Sequence, residues 1–67
     1  MEIFESFGNA VCQWFSVAGL FYQVETSTDL VYWQSASPPV PGQNSMMQFA
    51  QPMAGERKFF RLRAWSY

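Results

Sequence analysis

Apolar and polar side chains alternate most cleanly over FYQVET, residues 21–26. An extended chain puts Tyr22 and Val24 on one face there and Phe21, Gln23 and Glu25 on the other. The same two-residue period returns over 57–65, where Phe60, Leu62 and Ala64 oppose Phe59, Arg61, Arg63 and Trp65. AVCQWFSV, residues 10–17, is apolar in both phases, with Cys12 and Trp14 in one and Val11, Phe15 and Val17 in the other. A strand of that composition needs cover on both faces. Residues 45–50 are strand-like, and 30–34 fit a short strand. Residues 2–7 fit either a frayed first strand or one helical turn.

Turn chemistry separates these segments. Ala18-Gly19-Leu20 predicts a tight hairpin between the first two long strands. Ser27-Thr28-Asp29 has short oxygen-bearing side chains that bond back to nearby backbone N–H groups. SASPPVPGQN, residues 35–44, is a stiff connection that cannot be a central strand, and 51–56 is another Pro/Gly turn. No segment carries a helical period. The pattern predicts one all-β domain over residues 1–67, a small antiparallel sandwich or open barrel of about five strands. Its expected core is Cys12, Trp14, Tyr22 and Val24, joined by Leu30, Trp33, Phe60 and Leu62.

Composition sharpens that picture. A chain of 67 residues buries only about 60% of the surface its unfolded form exposes, so small domains use a staple. Cys12 is the single cysteine and there is no histidine, which excludes an internal disulfide and a thiol or imidazole zinc site. Thirteen of the 67 side chains are aromatic, which leaves aromatic packing and oligomerisation as the staples. The net charge of −1 argues against nucleic acid or acidic membranes as partners. All four basic residues, Arg57, Lys58, Arg61 and Arg63, fall in the last eleven positions, whereas Glu2, Glu5, Glu25 and Asp29 lie in the first half. MEIFESFG lacks the basic start of a signal peptide, and no apolar run reaches transmembrane length. The expectation is a soluble, cytoplasmic chain.

Candidate chemistry is sparse. Ser27 or Thr28 with Asp29 would need a base to act as a nucleophile, and only Lys58 is on offer, so a turn is expected. Cys12 shares the phase of Trp14 and is expected in the core. Glu25 and Asp29 are too few for a calcium cage or a glycosidase pair. No catalytic residue, metal ligand or cofactor is assigned. Met46, Met47 and Met53 are expected to fill gaps in the core. Arg61 and Arg63 beside aromatics can stack on bases, but a cross-strand ladder with Glu25 and Gln23, supported by Trp65, suits the net charge better.

Tyr22, Val24, Ser27, Thr28, Asp29, Leu30 and Trp33 spell Y-x-V-x-x-S-T-D-L-x-x-W, and Phe59, Phe60 and Arg61 follow. Here the chain resembles small fibronectin type III-like modules at the C-termini of large bacterial surface and secreted proteins. These carry the first motif and, about 25 residues later, F-[FY]-R on a β-sandwich. Trp14 sits where the family has its B-strand tryptophan. The likeness spans residues 10–65 and stops after the strand equivalent to F, so the family's last strand, G, is missing. The resemblance implies an adhesive or spacer module without catalysis. The expected function is a non-enzymatic protein interaction module forming a homo-oligomer, dimer or tetramer. It would use the Val11, Phe15 and Val17 face, and the sheet edge carrying Phe59, Arg61, Arg63 and Trp65. The alternative is a small-molecule or carbohydrate binder stacking its ligand on Tyr32, Trp33, Trp65 or Tyr67.

Overall fold

The computed structural model describes residues 1–53 and 57–66. The expected 51–56 turn therefore lies partly, and Tyr67 wholly, outside the described residues. The chain is all-β, with five strands of five to eight residues and two of two residues. The long ones are β1 (Glu2–Ser6), β2 (Asn9–Ser16), β3 (Leu20–Ser27), β6 (Ser45–Pro52) and β7 (Phe59–Ser66). The short ones, β4 (Gln34–Ser35) and β5 (Val40–Pro41), lie in and beside the proline-rich connection, where only edge pairing is open to them.

All pairings are antiparallel, in two sheets. One has the order β1-β2-β6; the other centres on β3. β7 pairs with β3 along its whole length, from Leu20↔Ser66 to Ser27↔Phe59. On the other side of β3, β5 and β4 lie end to end, opposite Phe21–Tyr22 and Glu25–Thr26. The inward phase is the one the alternation predicts. Cys12 and Val24 are fully buried, Trp14 and Tyr22 nearly so, and Phe60 and Leu62 pack against them, half-buried, with Met47 and Phe49 of β6. The Trp14 and Tyr22 rings tilt together across the layers at 6.1 Å.

The opening segment is a strand. β1 and β2 form a hairpin whose two loop residues, Phe7 and Gly8, both have positive φ (50° and 80°). That geometry matches the twist of the flanking strands.

The expected hairpin at Ala18-Gly19-Leu20 is corrected. A tight turn is present, with Leu20 N–H donating to the Val17 carbonyl, but β2 and β3 belong to different sheets and face each other across the core. The reason is the turn's anchoring. Val17 N–H donates to the Tyr22 hydroxyl, Ala18 N–H to Asn44 Oδ1, and Gly42 N–H to the Leu20 carbonyl. The fully buried Ser16 hydroxyl donates to the Ser45 carbonyl and accepts from Gln43 N–H. These bonds seat the turn on the 42–45 segment at one end of the sandwich.

The expected strand over 30–34 is also corrected, since only Gln34 is in a strand. Leu30 is not in the core. It is 57% exposed and has φ of 66°. Trp33 is half-buried and stands outside the core cluster. Of the methionines expected to fill the core, Met47 does so, while Met46 and Met53 are exposed.

The radius of gyration is 12.1 Å, against about 11 Å for a closed domain of this length. Among the described residues, no helix is long and apolar enough to cross a membrane.

Candidate functional site

The Ser-Thr-Asp turn is built from hydrogen bonds. The Ser27 hydroxyl donates to Asp29 Oδ1 at 3.0 Å and accepts from the N–H groups of Leu30 (2.8 Å) and Asp29 (3.2 Å). Asp29 Oδ1 also accepts from the N–H groups of Val31 and Tyr32, both at 2.9 Å. These bonds curl residues 28–32, which is why Leu30 takes left-handed geometry and leaves the core. Ser27 is buried with its oxygen committed to the turn, a poor position for attack on a substrate.

The N–H groups of Tyr32 and then Val31, followed by the Ser27 hydroxyl, hold the Asp29 carboxyl below its ordinary value of 3.8. The charged form is the one the fold favours. Its contribution is complete above the unfolded value and lost as pH falls through the lower, folded one. Thermal melts of wild type and Asp29→Asn should differ most above pH 3.8 and converge below it. A gap independent of pH would show that the carboxylate charge does not hold this loop.

Cys12 is fully buried, and burial pushes its thiol up from the ordinary 9.0, so the protonated, inert form prevails. Among the described residues, no group of three or more His, Cys, Asp or Glu is placed to hold a metal ion.

The outer face of the β3-centred sheet carries the ladder expected from the alternation. Glu25 pairs with Arg61 and Gln23 with Arg63 in the strand register. Arg61 Nε donates to Glu25 Oε1 at 2.7 Å. Glu25 is buried while Arg61 is half-exposed, so the pair is partly screened and its net contribution is modest. Gln23 Nε2 donates to the Ser37 carbonyl. Each arginine also lies over an indole. Arg63 is 5.1 Å from the Trp65 ring, as expected, and Arg61 is 4.2 Å from Trp33, a contact the alternation could not show because Trp33 lies in a loop. Trp65 stacks on Phe21 at 6.0 Å.

The candidate interface residues divide between the two outer faces. Phe59, Arg61, Arg63 and Trp65 lie on the β7 face just described, whereas Phe15 and Val17 belong to the β1-β2-β6 side. Val11 is removed from the exposed set. It is only 8% exposed and sits between Phe4 and Ala50 in the strand register. Phe15 is 59% exposed beside Met46, also exposed. The next row of that face is polar, because Gln13 Nε2 donates to Glu2 Oε1 and Gln48 Nε2 to Gln13 Oε1. Phe15, Met46 and Val17 therefore make a small patch bounded by an amide ladder.

The stacking candidates separate too. Tyr32 and Trp33 line a polar pocket of about 330 Å³ with Thr26, Thr28, Gln34 and Lys58. Trp65 is at the far end of β7 against Phe21. Tyr67 lies outside the described residues.

A second cavity, of about 470 Å³, was not anticipated. Ile3 and Ala10 line it from the first sheet, Phe59 and Phe60 from β7, and Leu30 and Trp33 from the loop. Glu5 and Lys58 are the charged groups of its lining. Ile3 pairs in register with fully buried Cys12 and shares its inward face, yet is 49% exposed. On the opposite wall, β7 pairs with β3 and with no other described strand. No periodicity in the sequence shows that β7 adjoins the inner face of β1.

No family model, curated protein or solved structure matches the chain.

Proposed function

We propose that this chain is a non-enzymatic, fibronectin type III-like interaction module whose sandwich is completed by a second copy of itself. One observation carries the reading: among the described residues an eight-residue strand, β7, is paired on one side only, beside an apolar cavity bordered by the exposed inner face of β1. Unpaired strand edges are templates for further strands, and an uncovered apolar wall makes that addition favourable.

In immunoglobulin-like sandwiches strands A, B and E share one sheet, and C, F and G the other. The order β1-β2-β6 against β3-β7 supports reading these five strands as A, B, E, C and F. The place of G is then the outer side of β7. The turn chemistry at Ser27 and Asp29, and the buried neutral thiol, support a role without catalysis.

Sedimentation velocity over a micromolar concentration series tests the reading. The expected result is a species of at least twice the 7.8 kDa chain mass that dissociates on dilution. A monomer throughout the series would overturn it. A monomer whose tryptophan fluorescence responds to oligosaccharides would favour the alternative, ligand stacking at Tyr32 and Trp33.

A further inference from the structure

We infer that the second copy docks by reciprocal exchange of edges: β1 of each chain adds to β7 of the other, forming a closed two-fold dimer. This rests on the self-association just proposed and names its surface. The two strands flank one cavity, so a single approach reaches both edges.

Strand directions permit it. β1 is antiparallel to β2, β2 reverses into β3 across the core, and β3 is antiparallel to β7. β1 and β7 thus run in opposite senses on facing layers. A two-fold axis along the strands brings β1 of one copy beside β7 of its partner in antiparallel fashion, outer face continuous with outer face. It does so twice, so the assembly closes and leaves neither edge open.

Register and charge agree. The rotation preserves height along the strands, and residues 3–5 line the same cavity as residues 58–60. The matching register sets Ile3 opposite Phe60 and Phe4 opposite Phe59. It also sets Glu5 opposite Lys58, and Glu2 opposite Arg61. Among the described residues neither Glu5 nor Lys58 makes an ion pair within its own chain. Pairing β7 with its own copy fares worse. Centred on Arg61, Leu62 or Arg63, it sets arginine against arginine, and like charges directly opposite are destabilising. The Phe15 patch ends at the Glu2-Gln13-Gln48 ladder.

Charge reversal tests the pairing. Glu5→Lys and Lys58→Glu should each weaken dimerisation by about tenfold or more, and the double variant should recover most of the loss. Near-ultraviolet circular dichroism checks that each variant keeps its packed aromatics. As a second measurement, Phe4→Cys chains mixed with Phe59→Cys chains should give a covalent dimer on oxidation, and neither alone should. A dimeric wild type indifferent to both reversals would overturn the edge exchange and leave self-association standing on another surface. Weakening without recovery in the double variant, or cross-linking of Phe4→Cys chains to one another, would overturn the register. A monomeric wild type would remove both proposals.

Discussion

Trp14→Ala is expected to unfold the domain at room temperature. Trp14 is the largest side chain in the buried cluster it forms with Cys12, Tyr22 and Val24, its ring against that of Tyr22. Deleting a buried tryptophan costs about 3–5 kcal/mol. A domain of this length has only about 3–10 kcal/mol in total. The indole also carries a liability, since its Nε1–H is buried with no hydrogen-bond partner among the described residues. A buried donor left unpaired costs about 1–3 kcal/mol. Trp14→Phe removes that donor while keeping most of the ring, so the cavity it opens is offset and the net loss should be under about 1.5 kcal/mol. Urea denaturation followed by far-ultraviolet circular dichroism reads both variants. A Trp14→Phe variant that loses more than about 1.5 kcal/mol would mean that removing the unpaired N–H does not offset the cavity.

Gly42→Ala is expected to be nearly as damaging, for a steric reason. Gly42 is buried where the proline-rich connection crosses the β2–β3 turn. A Cβ placed there overlaps the Val17 carbonyl oxygen, lies 2.7 Å from its carbon, and presses the Tyr22 ring at 3.0 Å. Two of the three contacts are backbone, so no side-chain rotation relieves them. The Val17 carbonyl also accepts the turn's own Leu20 N–H. Overpacking of this kind costs about 1–3 kcal/mol, which lowers the melting temperature by about 10 °C in a domain this small. Gly8→Ala is the control, because open space surrounds its Cβ and only its positive φ resists substitution. If Gly42→Ala melts no lower than Gly8→Ala, the close crossing at Val17 is not what holds the two sheets together at that end.

By itself the sequence determined everything that follows from local periodicity and local hydrogen bonding. The two-residue alternation placed Cys12, Trp14, Tyr22 and Val24 inward, and Phe60 and Leu62 against them, because successive side chains of any strand point to opposite faces. Once the last strand was taken as the neighbour of the 21–26 strand, the same rule put Arg61 beside Glu25 and Arg63 beside Gln23 and Trp65. Ser27 and Asp29 were legible as a turn because their oxygens reach the N–H groups two and three residues on, whatever the rest of the chain does. Tertiary structure alone decided how the strands were dealt into layers. A tight turn at Gly19 serves a hairpin and a crossing between sheets equally well, and the choice fell to Gly42 and Asn44, far along the chain from the turn, and to Ser16, whose hydroxyl reaches the equally distant Ser45 carbonyl. The same distant packing buried Val11, set Trp33 over Arg61, and sent the two sets of candidate interface residues to opposite faces. It also opened the cavity between β1 and β7, since a gap is a property of two elements and no stretch of either one encodes it.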